Sequence, residues 1–227
     1  MSRCGFVRNN KSMIKTENDS INYLWNNGSE SDWRKALEHY YAILSSGELI
    51  LDSYIANVDA YQIKNLSVRD FYDFLYDKYF VWKFTAKNRL ATTRISLRKY
   101  IDENKLEELS KIQAELFSAD HNDISKCLQI ASQIKGLGIA GASGLLAILF
   151  PAHFGTVDKF LVKSLLKIDG VKYRAELARI NLDAIKNKEG TLLIKILKEK
   201  ADELNNKFHT DFWTPRKIDM VLWSVER

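Results

Sequence analysis

Only 2 prolines and 10 glycines occur in this chain of 227 residues. Proline and glycine are the residues that turn and break a backbone. Their scarcity permits long uninterrupted helices and disfavours a turn-rich β architecture. No segment sustains the apolar–polar alternation of a half-buried strand, whereas apolar residues recur at helical spacing through most of the chain. The expected fold class is therefore all-α. A soft rule of one domain per roughly 150 residues allows one large domain or two small, interlocked ones. Hydrophobic residues make up 46% and charged residues 28%, the balance of an ordered globular protein.

Lys and Arg total 34 against 29 Asp and Glu, a net charge of +5. That leans towards a polyanionic partner. Cys4 and Cys127 are far apart and share no metal-ligand spacing. A four-cysteine zinc or iron–sulfur site and a disulfide scaffold are excluded, which suits a reducing cytoplasm, and no metal or cofactor is expected. The start, MSRCGFVRNNKSMIK, has no apolar core and does not read as a secretory signal. The longest apolar run, Ile139 to Phe154, is interrupted by Gly141, Ser143, Gly144 and His153, and reads as a buried helix rather than a membrane span.

Residues 1–20 are polar and aperiodic and read as a flexible arm ahead of one helical unit, 21–227. Ser31 can cap a first helix carrying Trp33, Leu37, Tyr40, Tyr41 and Leu44 to Gly47. Further helices are expected over Leu51–Gln62, after Ser67, over Asn88–Ile101 and Leu106–Phe117, and from Asp120 or Asp123 to Ile134. The same pattern covers Ala142–Phe150, the stretch after Asp158, Lys172–Lys186 and Thr191–Lys207. Thr214 and Pro215 suit the cap and first turn of a terminal helix running to Val225. Phe71 to Phe84 holds eight aromatics in 14 residues, for which core packing is the default.

Between two of these helices lies Lys135-Gly136-Leu137-Gly138-Ile139-Ala140. Glycines permit positive φ and close approach, and Leu137 can anchor the turn in the core. Amides at the start of the following helix point outward with its positive dipole end and can hold a phosphate oxygen. No acidic residue lies between Asp123 and Asp158 to repel one. On spacing alone a plain tight turn between helices is the commoner meaning of such a pair of glycines.

The continuation, KGLGIAGASGLLAILFPAHFGTVDKFLVKSLL over residues 135–166, resembles the signature of the helix-hairpin-helix DNA glycosylase superfamily. That signature is a Gly-hydrophobic-Gly hairpin, a helix opening with small residues (here Ala142 and Ser143), and a loop delivering a Val-Asp pair (Val157-Asp158) to the head of another helix. Asp158 stands 18 residues after Ala140, the spacing from the family's post-hairpin position to its aspartate. The likeness covers about 40 residues. It is nearest to the 8-oxoguanine-glycosylase-like branch that lacks an iron–sulfur cluster. Trp82-Lys83…Asn88-Arg89 and Thr214-Pro215-Arg216…Asp219…Leu222-Trp223 are similar to segments of that branch. The resemblance implies two intertwined helical lobes, one of about 21–105 plus 208–227 and one of about 106–207.

It further implies excision of a damaged or modified base, flipped out of double-stranded DNA, by cleavage of the N-glycosidic bond. Repair and defence against modified DNA both fit, in the cytoplasm on bacterial nucleoid DNA, with the protein a monomer. Asp158 matches the catalytic aspartate, which would stabilise the oxocarbenium-like transition state and orient water; helix capping is its plain alternative. Bifunctional members carry a Schiff-base lysine where Ala140 stands, so a monofunctional enzyme is expected. Phe160 departs from the family's frequent His two residues after the aspartate.

Gly136, Leu137, Gly138, Ile139 and Ala140 match the DNA-gripping hairpin. Lys135, Lys159 and Lys163 flank the site and can reach phosphates or stand as solvated surface lysines. The acid-free stretch Lys78–Ile101 adds Lys83, Lys87, Arg89 and Arg94 as candidates for the DNA backbone. The competing reading is pairing with Asp102-Glu103 and Glu107-Glu108. Trp82, Phe84, Trp213 and Trp223 are candidates for the wall of a base pocket, and Asp219 for a hydrogen bond to a base edge, each weighed against a core, solvated or capping role. Two other readings are a non-catalytic helix-hairpin-helix DNA-binding protein, and a glycosylase and abasic-site lyase using a lysine outside the family's position.

Overall fold

A computed structural model describes residues 16–225. Among them there are helices and turns and no strand. Residues 1–15 of the expected arm lie outside the described residues, and from Thr16 the chain is already helical, inside the segment read as an arm. No described helix is long and apolar enough to cross a membrane.

The order is α1 (Thr16–Asn27), α2 (Glu30–Ala42), α3 (Ser46–Ala56), α4 (Ala60–Lys64), α5 (Val68–Phe74), a π-helical turn (Leu75–Tyr79), α6 (Phe80–Lys83) and α7 (Lys87–Asp102). Then follow α8 (Leu106–Ser118), α9 (Ile124–Ala131), α10 (Ile139–Leu149), α11 (Lys159–Leu166), α12 (Arg174–Leu177), α13 (Asn187–Phe208) and α14 (Pro215–Val225).

Caps explain where the expected boundaries moved. Ser29 rather than Ser31 starts α2, because Ser29 and Asp32 form a reciprocal capping box. A second box, Ser45 with Glu48, starts α3 and puts Gly47 inside it. The expected helix over Leu51–Gln62 is two, since the Asp59 side chain accepts from the Tyr61 amide and restarts the winding. The expected helix over Lys172–Lys186 is only Arg174–Leu177. There Gly170 and Tyr173 take positive φ (69° and 64°), and the Asn181 side chain accepts from the Asp183 amide. Ser67, Asp123, Asp158 and Thr214 do cap the helices expected of them.

The core is one contiguous cluster with α10 near its centre. Gly141 through Leu149 are all buried, and α10 packs on α9, α13 and α14. The small residues of its first turns let neighbours approach: a Cβ on Gly141 would lie 2.8 Å from Leu137 Cδ2 and one on Gly144 2.8 Å from Tyr79 Oη. Tyr79 donates its hydroxyl hydrogen to the Gly141 carbonyl. Helix α14 packs on α1, α2, α11 and α13, which brings the first and last described helices together. Trp213, proposed from sequence as a pocket wall, is instead core. It is 2% exposed and meets Trp33 edge-on, with centroids 5.7 Å apart. Its main chain is locked by Asn205, which accepts from the Trp213 amide and donates to its carbonyl. The sequence placed it beside the capping Thr214 and so near a segment end, but the turn folds inward.

The aromatic segment Phe71–Phe84 is mostly core as well, with Phe71, Tyr72, Phe74, Leu75, Tyr79 and Phe80 buried. Its helix does not keep a regular pitch. The π turn over Leu75–Tyr79 inserts one wide turn between α5 and α6, and Trp82 and Lys83 emerge beyond it onto a different face.

Candidate functional site

A cavity of about 510 Å³ opens where α2, α3, α6 and α14 meet the loop before α11. Its walls include Tyr40, Asp52, Trp82, Lys83, Thr156, Asp158, Phe160, Arg216, Asp219 and Trp223. The volume lies within the range of small-molecule sites, and the aromatic walls Tyr40, Trp82, Phe160 and Trp223 stand among convergent charged groups.

Asp158 is the N-cap of α11. Its backbone is extended (φ −157°), and its Oδ1 accepts from the Phe160 amide at 2.9 Å and the Leu161 amide at 3.1 Å. Its other oxygen, Oδ2, takes part in no hydrogen bond among the described residues. The loop that delivers it is tied down residue by residue. Thr156 donates its amide to Asp219 Oδ2 (3.1 Å), and Val157 donates its amide to Ser143 Oγ (2.9 Å). Ser143 in turn donates to the Ala140 carbonyl (3.0 Å). The first turn of α10 and the terminal helix α14 thus jointly place Asp158.

Along the cavity wall runs an ionic network of which sequence reasoning singled out Asp219 and Trp82 as pocket residues. Arg216 donates from Nη1 to Asp219 Oδ2 at 2.7 Å, and its Nη2 stands 3.7 Å from Asp52 Oδ1. Asp52 also accepts from Tyr40 Oη (2.8 Å) and Trp82 Nε1 (3.0 Å). The Arg216 guanidinium lies over the Trp82 ring, 5.2 Å from its centroid. Burial pushes the Asp219 carboxyl up from its ordinary range, with Arg216 opposing. Burial likewise raises the Tyr40 hydroxyl. For Arg216 burial works against the charge, yet Asp219, Tyr40 and Asp52 outweigh it and hold the group raised. The sequence signals for this network were the Thr-Pro-Arg…Asp pattern around residue 216 and the Trp82-Lys83 segment; Asp52 and Tyr40 carried none.

Lys83 is corrected in place. The sequence put it on the DNA backbone, but it closes α6 and lines the cavity with Asp158 and Asp219. Burial lowers its pKa from the ordinary 10.5, and the charges of Asp158 and Asp219 counter this. The native state therefore holds fewer protons than the unfolded chain at pH values between the lowered pKa and 10.5, and stability rises with pH across that window. Lys83→Met is expected to stabilise the protein by about 1 kcal/mol near neutral pH. That advantage shrinks as pH climbs towards 10.5, which urea unfolding at two pH values will read.

A second concavity, of about 390 Å³, is lined by Phe84, Asn88, Arg89, Thr92, Thr93, Ser96, Gly136, Gly138, Ala140 and Gly141. Phe84 thus belongs to this groove and not to the aromatic cavity. Gly138 is the N-cap of α10 and offers no side-chain cap. The amides of Ile139, Ala140 and Gly141 meet no protein acceptor among the described residues. Leu137 is buried beneath the turn as expected. Lys87, Lys159 and Lys163 are exposed, as is Arg89.

Two basic candidates are engaged elsewhere. Lys135 lies 3.4 Å from Glu108 and 3.8 Å from Glu103, and over the Tyr100 ring. The acid-free run around it in sequence is therefore not acid-free in space. Arg94 donates twice to the Tyr76 carbonyl (3.0 and 2.9 Å) and stands 3.4 Å from Asp77. It staples α7 to the π turn and does not present a free guanidinium.

No protein-family model matches the chain, and no curated protein or solved structure is significantly similar to it.

The two glycines of the turn make different demands. Gly136 has φ +96°, and a Cβ there would sit 2.8 Å from the Thr93 carbonyl oxygen. At Gly138 a Cβ would meet nothing within 4 Å. Gly136→Ala is expected to cost about 1–3 kcal/mol and Gly138→Ala less than about 1 kcal/mol, a contrast that thermal denaturation reads directly.

Proposed function

We propose that this protein is a DNA glycosylase that hydrolyses the N-glycosidic bond of a damaged or modified base flipped out of duplex DNA, in base-excision repair or in defence against modified DNA. The observation that carries the reading is Asp158. Its carboxylate borders an aromatic cavity with one oxygen fixed by two amides and the other uncommitted. A carboxylate held so is suited to face the positive charge that grows on the sugar as the base leaves, and to orient the attacking water. Trp82, Tyr40 and Trp223 supply the stacking surfaces that an extruded base requires, and Asp219 with Arg216 supplies polar groups for its edge.

The groove at Gly136–Gly141 supports the same reading. Free amides at a helix start, next to an exposed Arg89, suit a phosphate oxygen. In this proposal α9, the glycine turn and α10 form the helix-hairpin-helix that holds the backbone, and the cavity is the cleft between two lobes. Tyr40, Asp52, Trp82, Arg216 and Trp223 come from one lobe (21–105 plus 208–227) and Thr156, Asp158 and Phe160 from the other (106–207), so closing the lobes completes the site. Lys87, Arg89, Lys159 and Lys163 would add salt-sensitive backbone contacts.

The test is base release, read by chromatography, from duplexes carrying a panel of oxidised, alkylated, deaminated and otherwise modified bases. Release of the free base from one class supports the proposal. Salt-dependent binding to every duplex with release from none overturns it in favour of a non-catalytic DNA-binding protein.

A further inference from the structure

Lys83 differs from Lys200 and Lys217, which are also drawn in from the surface. Lys200 donates to the Trp25 carbonyl and to Glu203, and Lys217 to the Phe212 carbonyl. Lys83 has no hydrogen bond and no ion pair among the described residues, although it lines a cavity walled by Asp158, Asp219 and Arg216. A buried ammonium without a partner opposes folding, so ordinary packing does not account for it.

Its placement is specific. The end of the side chain runs alongside α10, where a Cβ on Gly144 would come within 3.1 Å of Lys83 Cδ and 3.2 Å of Cε. Glycine at that position leaves the stem its track. Tyr79 Oη, which the same Cβ would meet at 2.8 Å, is fixed by its bond to the Gly141 carbonyl. The amine is therefore held by its stem rather than by its nitrogen, which leaves the lone pair available when the proton is off. Burial favours that neutral form against the opposing pull of Asp158 and Asp219. A desolvated lysine with a cationic neighbour, here Arg216, is a usual setting of an amine nucleophile towards a carbonyl carbon.

We infer that Lys83 is an amine nucleophile acting on the sugar that base release leaves behind, which makes the protein an abasic-site lyase as well. This inference rests on the DNA reading of the cavity above. The abasic sugar opens to an aldehyde at C1′. The Lys83 nitrogen lone pair forms the N–C1′ bond, and the carbonyl oxygen takes up a proton to give a carbinolamine. Loss of that hydroxyl as water yields the protonated imine. The C2′ proton then passes to a carboxylate of the cavity wall, its electron pair forms C2′=C3′, and the C3′–O bond breaks with its pair leaving on the phosphate. Water adds back to the imine and frees the amine. The water lost and gained balances, and no oxidant or reductant enters.

The experiment uses the full chain and a duplex with one preformed abasic site, so that it does not depend on knowing the base. Borohydride is added as the trapping reductant, and the covalent adduct is mapped by peptide mass spectrometry. The expected result is a single adduct at Lys83, with strand cleavage 3′ to the site when borohydride is omitted. Lys83→Arg keeps the stem and charge but has no nucleophilic amine, and both signals should vanish in it; Lys83→Gln should match. An adduct mapped to another lysine or to the N-terminus, trapping that survives Lys83→Arg, or no adduct with folded wild-type protein overturns the inference. Base release without trapping removes the role of Lys83 and leaves the glycosylase reading standing. Trapping at Lys83 with no base released from any substrate does the reverse.

Discussion

Asp158→Asn is expected to lower single-turnover base release by about a thousandfold while leaving the melting temperature almost unchanged. The two effects separate because the side chain has two duties on two oxygens. Oδ1 accepts from the amides of Phe160 and Leu161, and an asparagine oxygen does that nearly as well. The charge facing the cavity is what asparagine lacks, and a neutral amide does little for a cationic sugar. Asp158→Ala removes both duties and should add a stability loss of about 1 kcal/mol. If Asp158→Asn releases base at the wild-type rate, the residue is a cap only and the proposed chemistry falls.

Arg216→Met carries the largest expected cost in stability, about 3–5 kcal/mol near neutral pH. The loss comes from what stays behind. Asp219, at 2% exposure, keeps only the Thr156 amide, and Asp52 keeps Tyr40 and Trp82 without a counter-charge. The pH dependence has a definite sign. Burial already raises the Asp219 pKa above its unfolded 3.8, so the native state binds more protons than the unfolded one between those values and stability falls as pH rises. Without Arg216 the pKa rises further and the penalty widens. The deficit of the variant is therefore expected to shrink as the solution is acidified towards 3.8, measured as the difference in urea midpoint from the wild type. A deficit constant across that range would mean that Arg216 acts by packing alone. Base release should also suffer, because Asp219 holds the loop that carries Asp158.

The helical class was legible because it rests on local facts: few prolines, periodic apolar residues and strong caps such as Ser67, Asp123 and Thr214. The cap at Asp158 and the buried Leu137 were legible for the same reason. What failed was whatever depends on contacts between distant segments. Lys135 looked free because its own neighbourhood has no acid, yet α7 and α8 bring Glu103 and Glu108 to it. Arg94 looked like one of a run of surface cations until its helix was laid against Tyr76. Trp213 and Trp223 lie ten residues apart with similar flanks, and only the packing of α14 on α2 sends one to the core and the other to the cavity. Lys83 could not be assigned from a regular helical wheel, because the wheel is broken upstream of it.

That break has a consequence of its own. The wide turn at Leu75–Tyr79 uses one residue more than an ordinary turn for about the same rotation. Substituting the exposed Asp77 would leave Trp82 and Lys83 aimed where they are. Deleting Asp77 would let the helix close to its ordinary pitch and would leave both side chains facing the cavity, because the residue removed is the one that the wide turn absorbs. The turn is thus a store of one residue of length that the working face of α6 does not feel. Such a site tolerates both amino-acid replacement at the turn and the excision of a single codon there, and it could have arisen from an ordinary helix by the insertion of one.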